Sequence, residues 1–191
     1  MNSFNQRKKD VLSKVDKSSK KSWDKKILGL CDKLNASDNY YTTSSCSGRA
    51  ILIVDQDKKE EGLFRFVSHD LITFEILKKE IEKLNIKEEI NFKLVPLIIH
   101  VACRSLKDAN ELNEKAKLSG FKRSGIVSFG KNIVLEINST EKLEFPLIRN
   151  TLKGTSGKIL VENDFLKEIV KQTNEKLRKG WKKIKRLEES L

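Results

Sequence analysis

Ala50-Ile51-Leu52-Ile53-Val54 and Leu63-Phe64-Arg65-Phe66-Val67-Ser68 are the two segments on which the fold class turns. The first is an unbroken apolar run, short enough for a buried strand. The second alternates and reads as its partner across the polar turn Asp55 to Gly62. Working outward, Phe74, Leu77, Ile81 and Leu84 recur at helical spacing and predict a helix over 73–85. Asn91–Val95 and Leu97–Cys103 are strand-like on either side of Pro96, which suggests an edge or a bulge there. Leu106, Ala109, Leu112 and Ala116 mark another helix, stopped by Gly120. Ile126–Phe129 and Ile133–Ile137 flank Gly130-Lys131-Asn132, a hairpin signal. Glu141–Ile148 reads as a strand interrupted by Pro146, and Lys158–Val161 as a short strand. Toward the N-terminus, Phe4, Val11, Leu12 and Val15 space loosely as one helical face. Trp23, Ile27, Leu28, Leu30, Cys31 and Leu34 make a stronger one, with Ser22 as its candidate N-cap. Residues 35–49 read as a polar loop. From Asn163 onward, Leu166, Val170, Thr173, Leu177, Trp181, Ile184 and Leu191 keep one helical seam.

Hairpins mixed with single helices favour an α+β fold over a doubly wound one. No GxGxxG follows the first strand and no GxxxxGK[ST] exists, so a Rossmann or P-loop nucleotide site is not indicated. Gly154-Thr155-Ser156-Gly157 reads as a turn. The expected architecture is a mixed or antiparallel sheet with hairpins, helices packed around it and a long basic C-terminal helix. A chain of 191 residues fits one domain, 1–191, with basic helical segments over about 1–35 and 163–191.

The net charge of +12 is localised. Residues 1–26 hold nine Lys and Arg against three Asp, and residues 171–186 hold eight against one Glu, while the remainder is nearly neutral. Two basic ends on a neutral body are the footprint of a polyanion-binding protein, nucleic acid above all. Solvated lysine-rich helix faces are the plain alternative. No apolar run approaches the roughly 20 residues of a membrane span. Residues 1–9 have no signal-peptide character. Three cysteines, Cys31, Cys46 and Cys103, without close pairing fit a reducing cytoplasm and give no metal-ligand spacing.

The densest chemistry lies in Tyr40-Tyr41-Thr42-Thr43-Ser44-Ser45-Cys46-Ser47-Gly48-Arg49. Short donors followed by Gly48 and the Arg49 guanidinium suit a grip on an anionic or polar ligand. A polar surface loop is the competing reading. Arg49 stands too close to Cys46 for a phosphatase loop, so Cys46 reads as a pocket-lining thiol rather than a nucleophile. His100, Cys103, Arg104 and Ser105 cluster at a strand end. His69 precedes Asp70 at another. Gly120 and Gly125 bracket Arg123-Ser124, a second loop able to approach a ligand or simply to turn the chain.

Four ordered segments carry a resemblance: Tyr40–Arg49, Phe66-Val67-Ser68-His69-Asp70, His100-Val101-Ala102-Cys103-Arg104-Ser105 and Gly120-Phe121-Lys122-Arg123-Ser124-Gly125-Ile126. Together they resemble the tRNA wybutosine-synthesizing protein 3 family, as found in archaea. Gly130-Lys131, Leu143-Glu144, Pro146 and Ile148-Arg149 continue the match. The chain departs from the family at Glu60–Arg65, where a Gly-Gly-Lys-Trp-like stretch is usual, and at Val95, where an acidic residue is usual. The resemblance implies a non-Rossmann, S-adenosylmethionine-dependent methyltransferase. Its implied substrate is the N-4 nitrogen of a tricyclic wyosine-type guanosine beside the anticodon of tRNA-Phe, with no resident metal. By the same resemblance, Arg49 or Arg104 would hold the methionine carboxylate, and Ser44, Ser45 or Ser47 the adenosine hydroxyls. Cys46, Gly48, Ser105, Ser124 and Gly125 would complete the binding surfaces. His69 with Asp70, or His100, would accept the N-4 proton. Arg123, Lys131 and Arg149 would hold tRNA phosphates or the substrate's carboxylate. A non-catalytic tRNA-binding module, and a hydrolase using Cys46 or a histidine, are the rival classes.

Overall fold

The computed structural model describes residues 4–14, 24–56, 62–130, 132–150 and 157–191. The chain divides into two compact units, one from Met1–Ser47, Pro96–Thr140 and Lys179–Leu191, the other from Gly48–Val95 and Glu141–Arg178. Each unit has its own sheet, and every strand pair in both is antiparallel. The expected α+β class is what the structure has, with the strands shared between two sheets.

In the first unit, α1 is Phe4–Leu12, α2 Leu28–Ala36, β1 Tyr40–Cys46, β5 Ile98–Cys103, α4 Leu106–Leu118, β6 Gly125–Phe129 and β7 Ile133–Asn138. The strand order is β1-β5-β7-β6. One sheet face, with Ile99, Val101, Leu135 and Ile137, packs on α2 and α4 and on Ile184 and Leu187 of the C-terminal helix α5, Asn163–Ser190. Residue Val15 of the first helical face, and Ser22 and Trp23 of the second, lie outside the described residues. Helix α2 opens at Leu28 with Ile27 in the capping position and no side-chain cap.

The largest correction concerns residues 35–49. The expected loop contains β1, seven residues paired to β5 from Tyr40↔Cys103 to Cys46↔Ile98. Tertiary pairing outweighs the loop-like composition, because strand formation depends on neighbours across the sheet more than on local preference. The register shifts between Thr42 and Ser44, leaving Thr43 as an extra residue. Such a bulge reverses the side-chain alternation beyond it. Thr42 lies opposite Val101 on the packed face, whereas Ser44 lies opposite His100 on the other face.

In the second unit, β2 is Arg49–Val54, β3 Phe64–Ser68, α3 Phe74–Glu82, β4 Ile90–Val95, β8 Leu143–Arg149 and β9 Lys158–Ile159, ordered β3-β2-β4-β8-β9. The expected β2–β3 hairpin is present. Leu52, Leu77, Phe92, Leu147 and Ile169 are central to its core. Pro96 is neither an edge nor a bulge within a strand; it follows β4 where the chain passes from one unit to the other. Pro146 does not end β8, but the pairing with β4 is irregular beside it, shifting register between Asn91↔Pro146 and Ile90↔Ile148. Pro146 sits where β9, which pairs only with Ile148 and Arg149, does not reach, so its missing N–H leaves no ladder bond unmade on that side. The turn expected at Gly154 to Gly157 falls mostly outside the described residues. Among the described residues no helix is long and apolar enough to cross a membrane.

Candidate active site

The second face of the four-stranded sheet carries a polar row running across all four strands. Ser44 of β1 lies opposite His100 of β5, His100 opposite Glu136 of β7, and Glu136 opposite Gly125 of β6. Ser44 Oγ is 2.8 Å from His100 Nδ1, and His100 Nε2 is 2.9 Å from Glu136 Oε2. Asn138 Nδ2 donates to Glu136 Oε1 at 2.6 Å, and the Thr43 hydroxyl to the His100 carbonyl at 3.3 Å. The row is reachable, since the side chains of His100 and Glu136 are 30% and 26% exposed. At its far end a Cβ on Gly125 would meet nothing within 4 Å, so the sheet floor there is open. An imidazole held between a hydroxyl and a carboxylate can take up a proton and have the resulting charge balanced.

The turn after β1 is anchored on both of its polar groups. Ser47, buried, donates through its backbone N–H and its hydroxyl to Asp24 Oδ2, at 2.9 and 3.1 Å. Its carbonyl accepts from Trp181 Nε1 at 3.2 Å. Trp181 is therefore a packing residue with a hydrogen-bonding task, and Lys26 lies 5.1 Å over its ring. Gly48 takes φ +92°, a conformation that disfavours any side chain. Ser45 faces the core and hydrogen-bonds the Cys31 thiol, which burial pushes up to about 12. Cys46 is half-buried and carries no disulfide.

Other expected site residues do structural work. Arg104 donates from Nε and Nη2 to the Asp38 carbonyl, at 3.1 and 2.6 Å, and from Nη2 to Asn5 Oδ1 at 2.6 Å. Its guanidinium also covers the Phe4 ring at 4.7 Å, and Phe4 in turn meets Tyr41, so this cluster fastens α1 to β1. Ser105 is the N-cap of α4, accepting from the Asp108 N–H at 3.2 Å and donating to the Asp108 carboxylate. Ser124 is buried, and its hydroxyl has no hydrogen-bond partner among the described residues. Arg123 is exposed. Lys131 lies outside the described residues.

In the second unit Arg149 is fully engaged. It donates to the Ile90 and Ile148 carbonyls, to Asn91 Oδ1 at 2.6 Å and to Asp55 Oδ2 at 2.7 Å. Arg49 is different: its guanidinium covers the Phe64 ring at 5.2 Å, and its buried Nε has no hydrogen-bond partner among the described residues. His69 is half-buried at the bend after β3 and Asp70 is exposed. Ser68 Oγ closes that bend by donating to the Asp70 carbonyl and accepting from the Asp70 N–H.

Ser44, His100 and Gly125 are thus brought into one row, which Glu136 and Asn138 complete. Sequence reasoning passed over those two, although Leu135 and Ile137 alternate with them as core residues. A charged and an amide side chain sharing the other face of an apolar strand was the available signal.

Comparison with known proteins gives this row a context. The family model described as Methyltransferase TYW3 matches residues 6–191. A protein of Archaeoglobus fulgidus named tRNA(Phe) 7-((3-amino-3-carboxypropyl)-4-demethylwyosine(37)-N(4))-methyltransferase is 37% identical, covering 86% of this chain and 81% of its own. The tRNA wybutosine-synthesizing protein 3 homolog of Danio rerio is 35% identical over 99% of this chain and 74% of its own. Among solved structures, the PH1069 protein of Pyrococcus horikoshii superposes with a TM-score of 0.84 at 32% identity, covering 98% of this chain and 93% of that one. The motifs read from the sequence, the two antiparallel sheets and these likenesses agree: the chain belongs to the Methyltransferase TYW3 family.

Proposed function

We propose that this chain transfers a methyl group from S-adenosylmethionine to the N-4 nitrogen of a wyosine-type tricyclic guanosine in the anticodon stem-loop of tRNA-Phe. Family membership and the names of the archaeal relatives support the reaction class and substrate. The observation on this chain that carries it is His100, held between the Ser44 hydroxyl and the Glu136 carboxylate on a reachable sheet face. N-Methylation releases one proton, and a positioned imidazole is suited to take it. When bound, S-adenosylmethionine supplies an electrophilic methyl group on sulfur. Arg49, in the second unit, offers a buried Nε donor with no acceptor among the described residues, which suits a ligand carboxylate. Arg104 and Arg149, already committed to the fold, are not assigned to ligands. We take residues 1–191 to act as one methyltransferase domain. Three cysteines with no disulfide among them suit work in the cytoplasm.

The deciding experiment incubates the protein and labelled methyl donor with tRNA-Phe carrying the demethyl precursor. Label in the tricyclic base is the expected result. Bound tRNA and donor with no label transferred would sink the reading. Within this reading Arg49→Ala weakens donor binding by about 10–100-fold, the worth of about 1.5–3 kcal/mol for a hydrogen bond to a charged group. Titration calorimetry measures it, and an unchanged affinity removes Arg49 from the donor site.

The basic C-terminal helix is assigned to the tRNA backbone. Lys179, Lys182 and Arg186 are exposed and recur at i, i+3 and i+7, one stripe of α5. None forms an ion pair with a described residue. Each phosphate they neutralise releases counterions. Replacing all three with Ala lowers the slope of log affinity against log salt by roughly 2–3. The buried Leu177, Ile184 and Leu187 hold the helix in place in that variant. Filter binding at several salt concentrations reads the slope.

A further inference from the structure

Among the described residues, Glu136 is the carboxylate paired with His100. It is bound at both oxygens, Oε2 to His100 Nε2 at 2.9 Å and Oε1 by Asn138 Nδ2 at 2.6 Å. An ionised carboxylate only accepts hydrogen bonds. The ring nitrogen facing it must therefore carry the hydrogen, and in the neutral imidazole the other nitrogen must be bare. That other nitrogen, Nδ1, faces Ser44 Oγ at 2.8 Å. Ser44 is the exposed end of the row, beyond the bulge that turns it to this face.

We propose that Glu136 is a positioning residue: it fixes His100 as the Nε2–H tautomer, so that the Ser44 hydroxyl donates to Nδ1 and Ser44, not the imidazole, meets the substrate proton. The inference rests on the methyl-transfer reading of the same site. As the nitrogen–methyl bond forms and the sulfur–methyl bond breaks, the N–H proton passes to Ser44 Oγ. The Ser44 proton passes to His100 Nδ1, and the imidazolium is balanced by Glu136. Asn138 holds the carboxylate through its other oxygen. The substrate proton has by then restored the Ser44 hydroxyl, and loss of the Nδ1 proton to water restores the neutral Nε2–H ring.

The ring can be observed without tRNA or methyl donor. The chain has two histidines, so long-range proton–nitrogen spectra of the uniformly labelled protein contain two ring systems, and His100→Gln assigns its own by removing it. The neutral His100 ring is expected with hydrogen on Nε2 and a bare Nδ1. Glu136→Gln, whose amide can donate as well as accept, is expected to give a mixture of tautomers. In label transfer, Glu136→Gln and Ser44→Ala are each expected to lose on the order of 10²-fold in kcat, with KM for tRNA little changed. A wild-type ring bare at Nε2, or already a mixture, overturns the assignment whatever the protein methylates. Wild-type kcat in Glu136→Gln, or in Ser44→Ala, overturns it as well. Failure of the wild-type protein to transfer label, with the expected ring tautomer present, counts against the methyl-transfer reading and not against the tautomer.

Discussion

His100→Ala lowers the rate of label transfer to tRNA by about 10²–10⁴-fold, the usual worth of a positioned acid–base group. The expectation follows from what the substitution removes and what it leaves. It removes the imidazole between Ser44 and Glu136, and with it the only ring in the row. It leaves the β1–β5–β7 ladders, which are backbone bonds, and the core face opposite, where Ile99 and Val101 are fully buried. Glu136 keeps Asn138 and is exposed enough to recruit water, so the stability cost is about 1 kcal/mol. The loss therefore appears in kcat rather than in the melting curve. The affinity for tRNA stays near the wild-type value, because the imidazole contributes no charge to the backbone contacts assigned to α5. Single-turnover assays with saturating donor, beside a thermal melt of the same variant, make the measurement. A variant within twofold of the wild-type rate would remove His100 from the proton path.

Much of the fold is legible in the sequence where pattern and local chemistry agree. The apolar run Ala50–Val54 and the alternation Phe64–Ser68 become paired strands because composition and period point the same way. The helix ending at Gly120 is equally readable, since the glycine takes φ +106° just past the last turn. Residues Tyr40–Cys46 are not readable in this way. Their hydroxyls look like loop chemistry, and only the partner strand β5, more than fifty residues away, makes them a strand. The same non-local logic governs the site. Ser44, His100 and Gly125 stand out singly, but their meeting depends on register across four strands and on the bulge at Thr43, neither of which local pattern encodes. Arg104, Ser105 and Arg149 stand out for their residue types. The structure gives those types a fastening, a helix cap and a junction between strand ends, roles that look the same in a linear string.

Phe121→Ala destabilises the protein by about 3–5 kcal/mol, the range for removing a buried aromatic ring from a packed core. Phe121 is fully buried and stands where α4 hands the chain to β6. The helix ends in a Schellman motif. Gly120 N–H donates to the Lys117 carbonyl at 3.0 Å, and Phe121 N–H reaches back to the Ala116 carbonyl at 2.9 Å. The motif delivers the Phe121 ring into the cluster of Leu112, Ala116, Leu135 and Ile184. The Phe121 carbonyl then accepts from the Ser124 N–H at 3.1 Å, one residue before Gly125 begins β6. Truncation leaves the backbone bonds but empties the space they were placed to fill, and the flanking helices and sheet are too constrained by their own packing to close it. Leu118→Ala is the matched control: the same helix end, but a side chain 87% exposed, with an expected change within about 0.5 kcal/mol. In urea titrations the Phe121 variant should show a lower midpoint with an unchanged slope. A loss under 1 kcal/mol would mean that the ring is not a keystone of this core.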